Sequence, residues 1–358
     1  MALEREAITR WAEARFRAKV RAVEPIDGDL GDKGLAYASV LRVRLEGAPD
    51  VVLHTTRKNA GFGHDDLADR AYAAFLPYAT FGTFPRHARA VDVGSIAKNG
   101  ELRSMGDADD FYFVTEFVEG TPYFHDLERV GRDLTATEDD LARARALADI
   151  LADAHAEKRR DDATWLRKLR VLQGHDECVA GIVDSYDGRG GDVPAGARLR
   201  RIEHRVLDHR HRLKAFPWRL ARVHGDFHPW NVLMSGRGDA LGVVVLDRSR
   251  GAYGEPADDL TAMAINYIFF ALRAGAGAAP AFRELFRAFF GHWLSRTRDH
   301  EVLSVAQPYF AYRALVVASP AWYPNLPVGV RERLVELAEA VLEVDVLDLD
   351  TLERYFVV

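Results

Sequence analysis

The spacing of the apolar residues changes once along this chain, near Gly120. Before it, SVLRVRLEG alternates Val40, Arg42 and Arg44 against Leu41, Val43 and Leu45, the period-2 signature of a half-buried strand. A turn over Gly47 to Asp50 leads into VVLHTT, so these two strands form a hairpin. After Gly120 the apolar positions step by three or four, as in Leu141, Ala144, Ala148, Leu151 and His155. Strands first and helices afterwards restrict the chain to an α+β organisation. With 358 residues, two lobes are favoured. The expected layout is a small sheet lobe with one helix over 1–115, a hinge at 116–120, and a larger mainly helical lobe over 121–358. A cleft between the lobes is where a ligand would sit.

Further elements complete the outline. HDDLADRAYAAFL, with acidic residues in its first turn and a stripe through Leu67, Ala71, Ala74 and Phe75, predicts a short helix. ARAVDVGSIAKNGELRS and FYFVTEFVEG read as strands around the loop MGDADD, the second crossing between the lobes. The opening stretch is charged throughout, and Leu3, Ala7, Trp11, Ala14 and Ala18 mark an amphipathic surface helix rather than a targeting segment. Residues 160–220 form a basic helical insert, broken by DGRGGDVPAG. TAMAINYIFFALRAGAGAA is interrupted by Arg273 and two glycines, which favours a buried helix over a membrane span. A net charge of −6 supplies no global cationic field for nucleic acid or an anionic membrane. The single cysteine, Cys178, excludes an internal disulfide framework and fits a reducing, cytoplasmic location.

The segment that carries chemistry is His224-Gly-Asp-Phe-His-Pro-Trp-Asn231, on a loop between two short strands. An Asp five residues before an Asn suits phosphoryl transfer: Asp226 orients the attacking hydroxyl, and the Asn231 amide oxygen holds a magnesium ion. Magnesium takes oxygen donors and shares its shell with substrate phosphates, so one or two protein ligands suffice. Asp247, sixteen residues on at the end of LGVVVLD, is the second ligand, fixed by the hydrogen bonding of that strand.

HGDFHPWNVL, followed by VVVLDRSRGAYGEPADDL, resembles the signature of the aminoglycoside phosphotransferase / choline kinase family, small-molecule kinases on a protein-kinase-like fold. The family pattern H-G-D-x-H-x-x-N, an Asp closing a strand, and G-x-P-x-x-D-L is filled at every position. The resemblance implies Asp226 as catalytic base, Asn231 and Asp247 as Mg²⁺ ligands, Asp259 as a buried brace of the catalytic loop, and His224 as its anchor. His228 either faces the transferring phosphate or packs. FVTEFVEG resembles the hinge, where the Glu116 carbonyl and Val118 amide would pair with the base of ATP. Reading the base through backbone groups leaves GTP open as well. Where the family places a phosphate-clamping lysine, the strand VVLHTT has His54. Arg57 or Lys58 then substitutes, or His54 serves as a weaker donor, or nucleotide is held differently. Asp69 is the best-placed helix carboxylate for that cation, and the loop GDLGDKG either covers phosphates or is an ordinary turn.

Two readings stay open. One is a kinase transferring the γ-phosphate of ATP to a hydroxyl of a small molecule, aminoglycoside-like or another amino or sugar alcohol. The other, motivated by His54, is a nucleotide-binding module with reduced catalysis that regulates a partner. Nine basic side chains between Arg198 and Arg222 are a solvated helix face or a contact for an anion. His204, His209 and His211 in that stretch lack the companions of a metal site. Tyr309, Phe310, Tyr312, Trp322 and Tyr323 are core aromatics or walls of an acceptor pocket, and the acidic end from Glu343 to Glu353 is an exposed helix end or a docking site for cationic acceptors.

Overall fold

A computed structural model describes residues 4–26, 38–56, 66–83, 85–111, 113–186, 196–248 and 250–358. The chain forms two compact units, Met1–Thr115 and Glu116–Val358.

In the first unit, α1 (Arg5–Phe16) packs on a three-stranded antiparallel sheet of β1 (Val20–Pro25), β2 (Ala38–Leu45) and β3 (Val51–Thr56), in that spatial order. The β2–β3 register sets Val43 opposite Val51. Asp50 holds the turn, its Oδ1 accepting from the Leu45 amide at 3.1 Å and its Oδ2 from Arg42 Nε at 2.9 Å. The alternation read from β2 is realised: Val43 and Leu45 are buried with Val23, Ile8 and Ala12, while Arg42 and Arg44 are exposed. The buried face of α1 is centred on Ile8 and Ala12, which leaves Ala14 of the expected stripe exposed.

The helix expected after β3 is α2 (Leu67–Thr80), opened by a capping box in which Asp69 Oδ2 accepts from the Asp66 amide at 3.0 Å. Its stripe of Leu67, Ala71 and Ala74 is exposed and no residue of the helix is buried. Phe75, the fourth residue of that stripe, is half-buried and sits edge-on to Phe111, and Tyr78 donates to the Gly106 carbonyl at 2.6 Å. The hairpin β4 (Gly94–Ile96) and β5 (Leu102–Ser104) follows. FYFVTEFVEG is not a strand: residues 113–120 find no ladder partner among the described residues, and β4 and β5 pair only with each other. Without a neighbouring strand its apolar side chains have nothing to bury against, and Phe113 and Phe117 are 88% and 89% exposed.

The second unit opens with β6 (Thr121–Pro122), α3 (Phe124–Asp133) and α4 (Glu138–His155). The expected helix around 141–155 is α4, started by a capping box between Thr137 and Asp140. The basic insert contains α5 (Asp162–Gly174), α6 (Val179–Asp184) and α7 (Gly196–Leu213); the break at 187–195 lies outside the described residues. Short strands β7 (Ala221–Arg222), β8 (Val232–Ser235), β9 (Gly242–Val245) and β10 (Tyr253–Gly254) pair as β6–β8–β9 and β7–β10. Helices α8 (Pro256–Ala274), α9 (Ala279–Phe286), α10 (His292–Thr297), α11 (Gln307–Ala318) and α12 (Val328–Val341) complete the unit.

Helix α8 is the centre of the core: from Leu260 to Leu272 every side chain is buried, so the long apolar stretch is an internal helix. Its end at Gly275, with φ +91°, is a conformation that favours glycine. No described helix is long and apolar enough to cross a membrane. Three of the arginines of α7 form ion pairs within the unit. Arg198 pairs with Glu332 and, at 2.7 Å, with Glu339; Arg201 reaches Glu339 at 3.5 Å and Arg205 reaches Glu343 at 3.0 Å. Their charge clamps α7 to α12 and the turn after it. Among the described residues no cluster of His, Cys, Asp and Glu could hold a metal, and His209 Nε2 bonds instead to the Leu342 carbonyl.

Candidate active site

The loop from His224 to Asn231 leaves β7 and enters β8, and its shape is imposed from below by one carboxylate. Asp259, in the first turn of α8, is completely buried. Its oxygens accept from the His224 amide at 2.8 Å, the Gly225 amide at 2.6 Å and His155 Nε2 at 3.1 Å. Trp293 Nε1, which can only donate, bonds His155 Nδ1 at 3.1 Å, so the imidazole proton sits on Nε2 and points at Asp259. Burial alone would raise the Asp259 carboxyl, but His155 and the two amides outweigh it and hold the group below the ordinary carboxylate range. His155 is thereby a satisfied core histidine linking α4, α8 and α10.

Gly225 is required by two independent facts. Its φ is +89°, and a Cβ there would lie 3.0 Å from the Cβ of Arg250. The Asp226 amide donates to His224 Nδ1 at 3.2 Å, which leaves His224 Nε2 to donate to the Leu246 carbonyl at 2.8 Å. The Leu246 amide in turn donates to the Asn231 carbonyl at 2.8 Å, extending the β8–β9 ladder by one step. His224 therefore ties the loop to the segment that carries Asp247.

Asn231 Nδ2 donates to the Asp226 carbonyl at 3.1 Å, which turns its Oδ1 away as a spare oxygen donor. Asp247 is exposed and has no hydrogen-bond or ion-pair partner among the described residues. Strand hydrogen bonding does not fix it: β9 ends at Val245, and Asp247 adopts a left-handed backbone with φ +54°. That conformation is uncommon outside glycine and is most tolerated by Asn and Asp. A tight turn just past the ladder, rather than the ladder itself, sets its direction.

Asp226 lies between two arginines that sequence reasoning missed. Arg313 of α11, almost fully buried, donates from Nη1 to Asp226 Oδ1 at 2.5 Å. Its Nη2 donates to Asp258 Oδ1 at 2.6 Å and to the Gly225 carbonyl at 2.8 Å. Arg250 Nη2 stands 3.8 Å from Asp226 Oδ1, and His228 Nε2 stands 3.5 Å from Oδ2. Burial works to raise the Asp226 carboxyl, yet Arg313, with help from His228 and Arg250, holds it well below the usual range. One signal pointed to Arg313: a single arginine inside the apolar run PYFAYRALVVA needs a buried partner.

The remaining expected site residues are placed as follows. His54 is exposed on β3, opposite Val40. Asp69 is in the capping box of α2. Lys58 and Arg57, and the loop GDLGDKG, lie outside the described residues. Glu116 and Val118 belong to the second unit, and their backbone groups make no hydrogen bond among the described residues. Tyr309, Phe310 and Tyr312 are buried, Tyr323 is half-buried and Trp322 is exposed. At the acidic end, Glu343 pairs with Arg205 and Glu353 with Arg287, so neither is a free docking carboxylate.

Residues 70–302, more than half of the chain, match the model of the phosphotransferase enzyme family. No curated protein matches the chain's sequence. Among solved structures, a glucosamine kinase in complex with glucosamine, ADP and inorganic phosphate aligns at a TM-score of 0.40 with 19% identity, over 61% of this chain and 58% of that one. A glucosamine kinase in crystal form A aligns at 0.43 with 17% identity, over 96% and 97%. Spectinomycin phosphotransferase APH(9)-Ia, in complex with ADP and spectinomycin, aligns at 0.33 with 10% identity, over 99% and 100%.

Proposed function

The chain belongs to the phosphotransferase enzyme family, which transfers phosphoryl groups to small-molecule hydroxyls, and from that premise we propose that it is an ATP- and Mg²⁺-dependent kinase with Asp226 as its base. The observation that carries this reading is the setting of Asp226: its Oδ1 is fixed by Arg313, and among the described residues its Oδ2 is approached only by His228, at 3.5 Å. Such a carboxylate orients a hydroxyl by accepting its hydrogen bond. Its low basicity suits a loose transition state, in which the proton leaves late and positioning matters more than base strength. The acceptor oxygen bonds the terminal phosphorus as the bond to the bridging oxygen breaks; ADP leaves and the hydroxyl proton passes to Asp226.

The donor set fits magnesium. Asn231 Oδ1 is turned free by the amide's bond to the Asp226 carbonyl, the Asp247 carboxylate has no partner among the described residues, and both are hard oxygen donors beside the same ladder step. Bound there, the ion would neutralise charge on the transferring phosphoryl group. Asp259 and His224 would act on loop shape without touching substrate. For the nucleotide, the main-chain groups of Glu116 and Val118, which make no hydrogen bond among the described residues, suit a base edge; the cation for the phosphates would be His54 or Lys58, with Asp69 as the carboxylate that holds it.

The test is Mg-dependent ADP release across a panel of hydroxyl compounds, with Asp226→Asn as control. The expected result is acceptor-dependent turnover that falls by about 10²–10⁴ in Asp226→Asn while ATP binding persists. His54 at the clamp position motivates the alternative of a regulatory nucleotide-binding module. Tight Mg-ATP binding without transfer to any acceptor or to water would favour that module.

A further inference from the structure

The two arginines beside Asp226 are in different states. All three nitrogens of Arg313 are used, on Asp226, Asp258 and the Gly225 carbonyl. Arg250 spends only Nη1, which donates to the Tyr312 hydroxyl, to Cys178 Sγ at 3.4 Å and to the Glu177 carbonyl at 3.3 Å. Among the described residues its Nη2 has only long approaches, 3.8 Å to Asp226 Oδ1 and 3.7 Å to the exposed Glu177 carboxylate. Its Nε is buried and has no hydrogen-bond partner among those residues. The unfilled edge is thus the Nε–Nη2 side, which carries two parallel N–H groups at the spacing of two carboxylate oxygens. Leaving the buried Nε unpaired is costly, while Nη2 beside it stays open to solvent, so a site built this way gains most from an incoming oxyanion that reaches both.

Arg250 lines a small cavity of about 30 Å³ in the second unit, together with Lys168, Cys178, Gly225, Tyr309 and Tyr312. Two carboxylates also face it, and neither is available to a cationic ligand. Asp258 is held by Arg313 at 2.6 Å, and Glu255 by a buried fork from Arg219 at 2.7 and 2.8 Å. The volume is that of roughly two ordered waters, which a planar carboxylate can displace.

We propose that the acceptor is a hydroxy-carboxylate: its carboxylate seats on the Nε–Nη2 edge of Arg250 in this cavity, and its hydroxyl reaches the neighbouring Asp226. The inference rests on the kinase reading above for the fate of the hydroxyl, and it opposes a polycationic amino-sugar acceptor, whose ammonium groups would meet Arg250 while both carboxylates of the cavity, Asp258 and Glu255, are held by arginines.

Three probes with one four-carbon chain separate the charges: 4-hydroxybutyrate, 1,4-butanediol and 4-amino-1-butanol. Binding is titrated in the presence of Mg-ADP, and transfer from Mg-ATP is followed by phosphorus NMR, in the wild type, Arg250→Lys and Arg250→Gln. The acid should bind at least about tenfold more tightly than the amine in the wild type. That ratio should fall toward one in Arg250→Gln and lie between in Arg250→Lys, which keeps the charge and loses the fork. Equal binding of the three by the wild type, absence of binding included, overturns the proposal, as does an acid preference untouched in Arg250→Gln. Should Arg250→Gln not fold, the wild-type ratio and its drop in Arg250→Lys decide. Acid binding through Arg250 without any transfer would refute the kinase reading and keep the anion site. Transfer to diol or amine that ignores Arg250 would keep the kinase and refute the site.

Discussion

Replacing Arg313 by methionine removes a guanidinium that joins two carboxylates and a loop carbonyl while keeping most of the side-chain volume. Deleting one partner of a buried ion pair costs about 3–5 kcal/mol. Asp226 keeps 16% of its side chain exposed and Asp258 22%, so water relieves part of the loss and the lower end, about 3 kcal/mol, applies. For a unit of this size that corresponds to a fall in Tm of about 6–12 °C. The pH dependence identifies the mechanism. Asp226 has a depressed folded pKa, so its contribution is complete above the unfolded value, about 4, and is lost as pH falls through the folded one. Without Arg313, burial drives the carboxyl up, and the variant recovers as it protonates. The stability difference should therefore be full at pH 7 and shrink below about pH 4–5. Urea unfolding of both proteins from pH 7 to pH 3 measures this. A difference under about 1 kcal/mol at pH 7, or one that widens as pH falls, refutes the account of Asp226 as a carboxylate held ionised by Arg313.

Asn231→Ala and Asp247→Ala should each raise the magnesium concentration for half-maximal activity by about tenfold or more, read from Mg titrations of ADP release; an unchanged requirement removes that residue from the metal site. Asp259→Asn sets an amide nitrogen against buried donors from His224, Gly225 and His155. It should cost roughly 2–4 kcal/mol in denaturant unfolding, and a change below 1 kcal/mol would show that the loop holds its shape without this carboxylate. The clamp between α7 and α12 is partly exposed, so a double-mutant cycle of Arg198→Ala and Glu339→Ala should give a coupling of about 1 kcal/mol at most. A coupling of several kcal/mol would mean the pair is far drier than its geometry implies.

Much of this architecture could be read from spacing. The β2–β3 hairpin, α4 and the buried α8 each carry a clear period, a capping pattern or an unbroken apolar run, and each is local in origin. The backbone of the loop around Asp226 was also legible, because Gly225, Asp226 and Asn231 stand within a few residues of one another. What sequence could not give is pairing across long separations. Arg313 meets Asp226 from 87 positions away, and the α7 arginines find α12 carboxylates more than 130 positions on, so both read as isolated charges. The strand expected over FYFVTEFVEG failed for the opposite reason: a strand needs a neighbour, and local composition carries no information about one. Asp247 shows the same limit on a smaller scale, since strand propensity ran through Leu246 while the chain turned left-handed one residue later.

Adjacent residues on a helix project about 100° apart, so Asp258 and Asp259 at the start of α8 are aimed at separate targets from one rigid support. One sculpts the backbone of the reactive loop; the other anchors the cation that governs its charge. Rotating or sliding α8 would disturb both at once, which makes this helix a poor place for evolution or engineering to retune acceptor choice. The freer coordinate is the opposing wall, where a change at Arg250 can alter what is recognised and leave the loop's conformation intact.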